Sequence, residues 1–149
     1  MPEKAIFYAL GIVFGPEGVL VSRKNSDNAW AFPISEHVAG KSPEYSIEES
    51  LKNEYGINAR AISSFPRIIS SYLNERGEQM LILPYHCSFV EGEISIKGKD
   101  AYEAKWISSR ELRNLELAGH SKELVPNIEM MSESCMKYIL KGDREAAKS

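Results

Sequence analysis

The sequence predicts an α/β domain with helices placed after and between strands. Three observations carry this. A chain of 149 residues holds about one domain's worth of core. Short runs rich in β-branched and aromatic residues are separated by turn signals. One stretch, Pro43 to Tyr55, repeats its apolar residues at helical spacing. With 43% hydrophobic and 26% charged residues, the chain is neither polar enough for disorder nor rich enough in Gly and Pro for a fibre.

Ala5 to Phe14 and Val19-Leu20-Val21 read as consecutive strands joined by Gly15-Pro16-Glu17-Gly18, a sequence suited to a tight turn. Ser22-Arg23-Lys24 closes the second strand, and Asn25 to Asn28 is a polar loop. The alternating aromatics of Trp30-Ala31-Phe32-Pro33 predict a short strand stopped by proline, and Ile34 to Lys41 reads as loop. A helix then starts. Ser42 is its N-cap, Pro43 loses nothing at the first helical position, and Glu44 faces the positive end of the dipole. Ile47, Leu51 and Tyr55 make one apolar stripe, and Gly56 supplies the left-handed residue that ends the helix. Strand composition returns at Arg60–Ser64, Ile68–Leu73, Met80–Val90, Ile94–Ile96 and Lys105-Trp106-Ile107, with turns at Asn74-Glu75-Arg76-Gly77 and Glu91-Gly92. Ser108-Ser109-Arg110-Glu111 has capping-box spacing and predicts a second helix. Ile128, Met131, Cys135, Tyr138 and Ile139 line one face of a third. The expectation is one domain, ordered from about residue 5 to 140, with a polar tail at 141–149.

The formal net charge of -3 provides no general pull toward nucleic acid or an anionic membrane, so any anion site has to be local. Cys87 and Cys135 lie in apolar segments without a second Cys or His at metal-ligand spacing, and read as reduced core thiols. The longest apolar run, Ala5 to Phe14, is far shorter than the roughly 18 residues of a membrane span. Glu3 before that run and Gly15-Pro16-Glu17-Gly18 after it argue against an export signal, which makes the cytoplasm the expected compartment.

Gly40-Lys41-Ser42 imitates the end of a phosphate-binding P-loop. Ser35 stands where that motif needs its first glycine, and a turn followed by an N-cap accounts for the tripeptide. A longer pattern is more specific. Trp30-x-Phe32-Pro33, Gly40-x-Ser42-Pro43-Glu44, the apolar stripe and Tyr55-Gly56-Ile57 together resemble the Nudix (MutT-like) family, hydrolases of nucleoside diphosphates linked to another moiety. That family's box reads G-x5-E-x7-R-E-U-x-E-E-x-G-U, with U apolar, and it lies over residues 33–57 without a gap. Downstream, Asp100 to Ser108 and Glu111-Leu112 resemble the family's acidic loop, tryptophan strand and following helix, and Val19 to Arg23 resembles its second strand. The resemblance implies an α/β/α sandwich with a mixed sheet between helices.

The box itself departs from the pattern. Its glycine is Ser35, its first glutamate Lys41, its arginine Glu49, and its next two glutamates Ser50 and Asn53; Glu54, Gly56, Ile57 and the apolar Leu51 match. In the family the helix glutamates hold divalent cations, which neutralise a diphosphate for attack. The resemblance therefore implies Glu54 as the catalytic and metal-binding carboxylate, with Asp100 and Glu103 as loop ligands to a weak Mg²⁺ site, or no metal at all. Glu49 precedes Glu54 by five residues and points elsewhere, and Glu48 has Lys52 as its i, i+4 partner, so the acidic face is expected to be mainly solvated. Lys41 and Glu49 stand where the family has a glutamate–arginine pair, the same pair with reversed signs, and are expected to brace the loop against the helix.

Arg23 and Lys24, at a strand end, are candidate phosphate or base contacts, with ordinary surface charge the competing reading. Lys41 is a candidate phosphate contact, and Trp30, Phe32 and Tyr72 are candidate stacking surfaces, with core packing the competing reading of each aromatic. His37, His86 and His120 are scattered and read as structural or surface residues. The expected ligand is a small-molecule nucleotide or nucleoside-diphosphate derivative, without nucleic acid or membrane as partner and with a homodimer left open. Two functions compete: a Nudix-type pyrophosphohydrolase with impaired catalysis, and a non-catalytic module that binds a nucleotide or nucleotide sugar or serves in interactions.

Overall fold

The computed structural model describes residues 4–26, 28–97, 101 and 103–130. Among these, β1 (Ala5–Gly15), β2 (Gly18–Arg23), β3 (Ile34–Glu36), β4 (Asn58–Ser64), β5 (Gln79–Glu91) and β6 (Glu103–Ile107) form one mixed sheet. The order is β4-β5-β1-β2-β6, with β3 also beside β1. β1 and β5 run parallel, and the other pairings are antiparallel.

Alternation along the central strands sends side chains to two cores. Leu10, Ile12, Val19, Val21 and Ile82 pack on one face with Leu112, Leu124 and Ile128. Ala9, Val13, Leu20, Tyr85 and Cys87 pack on the other, under Ile47, Leu51 and Tyr55 of α1 (Pro43–Tyr55). This two-sided covering is the α/β/α sandwich. Gly11 allows close approach of α1, because a Cβ there would lie 2.8 Å from Ile47 Cγ1. The α1 ends match the sequence expectation. The Tyr45 amide donates to Ser42 Oγ at 3.1 Å, and Gly56, at φ 72°, donates to the Lys52 carbonyl.

Several expected elements differ. Ile34–Glu36 is a strand, because β1 meets β2 only at Phe14–Val19 and Gly15–Gly18 and leaves backbone groups along the same edge to be paired. Trp30 and Ala31 make only isolated bridges, to Leu117 and Ser22. Within residues 68–73 the ladder is reduced to bridges at Ile69–Ile82 and Leu73–Gln79. Residues 94–96 form no strand, since the Ser95 and Lys97 amides donate to the Tyr55 and Glu54 carbonyls, orphan acceptors at the end of α1.

The capping box at Ser108 does not form. The Ser108 side chain makes no capping bond, and the Glu111 amide donates to the Ser108 carbonyl in a 3₁₀ helix, Ser109–Asn114, whose tight ring uses that donor. A short helix α2 (Gly119–Lys122) follows, and residues 125–130 are helical. The rest of the expected third helix, with Cys135, lies outside the described residues. No described helix is long and apolar enough to cross a membrane.

Candidate functional site

β2 and α1 converge where Tyr55, the last residue of α1, and Ser22, near the end of β2, share a buried hydroxyl–hydroxyl hydrogen bond of 2.9 Å. That contact sets the inner corner of a cleft of about 660 Å³. Glu54 enters it from α1, and Arg23 and Lys24 from the end of β2. The far wall is built by Tyr72 to Arg76 and by Ala118 to His120. The cleft is divided in character: Tyr8, Phe32, Ile34, Tyr72, Leu73 and Met80 supply an apolar and aromatic part, and Arg23, Lys24, Glu36, Glu54, Glu75 and Arg76 a charged part.

The walls are held by specific bonds. Asn74 organises the hairpin turn: its Oδ1 accepts from the Arg76 and Glu78 amides, both at 2.9 Å, and its Nδ2 donates to Tyr8 Oη at 3.0 Å. The Tyr72 hydroxyl donates to Glu123 at 2.9 Å, and that hydrogen bond is the main reason its pKa is raised. Arg67 pairs with the same carboxylate. The Tyr72 ring meets His120 edge-on at 5.8 Å and lies so close to Gly119 that a Cβ there would be 2.6 Å from Tyr72 Cε1. Burial lowers the His120 pKa, and the Glu123 charge offsets only part of that.

The residues singled out in the sequence separate into groups. Glu54, Arg23, Lys24, Phe32 and Tyr72 line the cleft. Trp30 is buried in the core and carries Arg23 on its ring, with Cζ 4.6 Å from the centroid and Lys105 Nζ at 4.4 Å. Glu103, opposite Arg23 in the β2–β6 ladder, accepts from Arg23 Nε at 3.0 Å and Nη2 at 2.5 Å. Asp100 lies outside the described residues. Lys41 is away from the cleft lining, its Nζ 5.3 Å from the Tyr45 ring centroid.

The reversed-sign brace is not formed. Lys41 lies over Tyr45, Glu49 accepts from Asn53 Nδ2 at 3.5 Å, and no ion pair joins the two. The loop is docked instead by buried Ser46, whose Oγ accepts the Val38 amide at 3.0 Å and bonds the Ser42 carbonyl. The remaining acids of α1 are also engaged. Glu48 does not pair with Lys52; its Oε1 accepts from the Ala61 amide at 2.9 Å, beside an irregularity in the β4–β5 register. Glu44 accepts from the Tyr85 hydroxyl at 3.2 Å, and burial together with Glu44 raises the Tyr85 pKa to about 12. Among the described residues, no group of three or more His, Cys, Asp or Glu could hold a metal ion. Of the carboxylates expected from the sequence as ligands, Glu54 lines the cleft and Glu103 is turned to Arg23.

Sequence reasoning missed Asn74, Glu75, Arg76 and Gly119 as cleft residues. The Asn-x-x-Gly turn was visible, but nothing local connects it to Lys24 or α2, which lie about 50 residues away on either side.

No family model matches the chain, and no curated protein matches it in sequence. Solved structures do match in fold. A MutT protein from Methanosarcina mazei Go1 superposes with a TM-score of 0.74 at 11% identity, covering 89% of this chain and 98% of that one. A NUDIX hydrolase from Nitrosomonas europaea gives 0.71 at 13% identity over 85% of this chain and 90% of the other. An ADP-ribose pyrophosphatase from Streptococcus suis gives 0.59 at 16%, over 80% and 88%. The chain has the fold of these proteins.

Proposed function

We propose, with the Nudix fold as premise, that this protein binds a nucleoside-diphosphate derivative in the cleft beside Glu54, and that metal-dependent hydrolysis there is weak or absent. The observation that carries the reading is the division of the cleft. An aromatic and apolar part including Phe32 and Tyr72 suits a base or sugar, and an adjoining part with Arg23, Lys24 and Arg76 suits phosphates. The fold neighbour described as an ADP-ribose pyrophosphatase supports this substrate class.

One observation favours hydrolysis as a second reading: Glu54, the box carboxylate that matches the family pattern, does line the cleft. In that reading Glu54, with Asp100 or Glu103 and the substrate's own phosphates, holds Mg²⁺, which would neutralise the phosphates and polarise a water. Glu103 would have to leave Arg23 to take part. Ser50 and Asn53, at positions where the family has glutamates, add no carboxylate.

The deciding experiment measures melting temperature and turnover over nucleotides, sugar nucleotides and dinucleoside polyphosphates, with Mg²⁺ or Mn²⁺, beside Glu54→Gln. A ligand bound only by the native state raises the melting temperature. A saturable shift with ADP-ribose or a related compound, without turnover, is the expected result. Rapid metal-dependent turnover abolished by Glu54→Gln establishes the hydrolase instead, and the absence of any shift across the panel refutes both readings.

A further inference from the structure

The cleft mouth holds three cations from two segments, each paired with a carboxylate of the chain. Arg23 is seated between Glu103 and the Trp30 ring, and its Nη1 also donates to the Ser26 carbonyl at 3.0 Å. Lys24 Nζ lies 2.7 Å from Glu75 Oε1, across the mouth. Arg76, next to Glu75 on the hairpin turn, pairs with Glu78 and reaches Glu36 at 3.6 Å on the β3 side. The turn is thus tied to both sides of the opening, by Lys24 on one and Glu36 on the other.

These ties differ in strength. Arg23 is half-buried, held by a cross-strand carboxylate, a carbonyl and an aromatic face, so its guanidinium is pre-positioned. Lys24–Glu75 and Arg76–Glu36 are exposed pairs, which water and salt weaken. The diphosphate as a whole carries two negative charges, one on each phosphoryl group, against the single charge of one carboxylate. Each phosphoryl group presents two non-bridging acceptor oxygens, so the diphosphate competes well for a set of such cations. Displacing Glu75 from Lys24 costs little and leaves that carboxylate in solvent.

We infer that Arg23, Lys24 and Arg76 form a clamp that binds the diphosphate of the ligand without a metal ion, with Glu75 as a displaceable occupant of the Lys24 position. The inference rests on the nucleotide-binding reading above and assigns its phosphate contacts to this mouth rather than to a cation on α1. Two independent features support it. Glu44, Glu48 and Glu49 of α1 are bonded within the fold, and Arg76 sits on a turn that is joined to Lys24 and Glu36 by surface ion pairs.

The test is calorimetric titration of the full chain with ADP-ribose and with adenosine, once in excess EDTA and once in Mg²⁺. ADP-ribose is expected to bind in EDTA and adenosine to bind much more weakly. Lys24→Ala and Arg76→Ala should each weaken ADP-ribose about tenfold or more, as loss of a charge-assisted bond does, and leave adenosine unchanged. Glu75→Gln should tighten ADP-ribose a few-fold by removing the competing carboxylate, an effect absent from Glu17→Gln, which makes the same charge change beside a different hollow. Circular dichroism and melting temperature confirm that the variants fold. Binding of ADP-ribose that requires Mg²⁺, or unchanged affinity in Lys24→Ala and Arg76→Ala, overturns the clamp while nucleotide binding stands. No binding in either buffer overturns both.

Discussion

Gly11→Ala is predicted to wedge α1 away from the sheet. Gly11 does not have positive φ, so the backbone accepts alanine and the effect is one of space. The new Cβ would lie 2.8 Å from Ile47 Cγ1 and 3.2 Å from Cδ1, with Cys87 Sγ at 3.5 Å behind it. Ordinary carbon contacts are about 3.5–4.0 Å, which leaves an overlap of roughly 1 Å to be relieved. Ile47 is fully buried, and a β-branched side chain on a helix has essentially one χ1 well, so rotation gives little relief. Overpacking of this kind costs about 1–3 kcal/mol, and replacing a strand glycine returns about 0.5–1 kcal/mol. The net loss should be about 1–2 kcal/mol, or roughly 2–8 °C in melting temperature for a domain of this size. Urea unfolding followed by circular dichroism measures it. Ile47→Ala removes both clashing atoms and should itself cost about 2–5 kcal/mol; in that background Gly11→Ala should be neutral or stabilising. Equal losses in the two backgrounds, or no loss in the parent, would refute the packing argument.

Other predictions follow from single bonds. Glu48→Ala strands the Ala61 amide at the irregularity in β4 and should cost about 1–3 kcal/mol, whereas Glu48→Gln, which keeps an acceptor, should cost less; urea midpoints separate the two. Ser46→Ala removes the acceptor of the Val38 amide and should lower stability by about 1–2 kcal/mol, while Lys41→Ala, which breaks no ion pair to Glu49, should be near neutral. His86 and His120 both have pKa values lowered by burial. In the window just below the ordinary histidine value of about 6.5, the unfolded chain binds more protons than the folded one. Stability should therefore be complete above that value and decline as pH falls through it. Unfolding free energies between pH values of about 7.5 and 5.5 test this, above the carboxylate range, and His120→Gln should flatten the dependence; a stability that rises on acidification would show that the sign is wrong.

The parts of the fold that local chemistry specifies were legible in the sequence. α1 has a serine cap, a proline at its first position, a stripe at four-residue spacing and a terminal glycine, and each acts as its residue type predicts. The long strands β1 and β5 were equally visible, being runs of β-branched and aromatic residues. Two strand expectations failed where a distant backbone group supplied a partner or a competing acceptor. Ile34–Glu36 became a strand because β1 offered a vacant edge, and residues 94–96 did not become one because the end of α1 offered carbonyls. Ser108 and Glu111 have the right spacing for a capping box, but the 3₁₀ turn bonds the Glu111 amide to a carbonyl instead. In the cleft, Glu54, Arg23 and Phe32 could be placed from the family pattern, whereas the Lys24–Glu75 pair spans 51 residues and has no local signature.

A run of carboxylates on one helix invites a metal-site reading, and bond by bond the structure gives most of them other work. Glu44 accepts from Tyr85, Glu48 from Ala61, Glu49 from Asn53, and across the sheet Glu103 accepts from Arg23. The first two tie α1 to the strands beneath it, which bears on how the fold tolerates a box so far from the family pattern. A cluster of unpaired acids needs a cation to offset mutual repulsion, whereas acids bonded to amides and hydroxyls carry that cost individually. Ser46 completes the arrangement by docking the loop through a neutral hydroxyl in place of an ion pair between Lys41 and Glu49. The helix is therefore held to the sheet by bonds that remain in place when divalent ions are withdrawn. Chelation should leave the melting temperature of the free protein unchanged, and a large fall on adding EDTA would show that a cation belongs to the folded state after all.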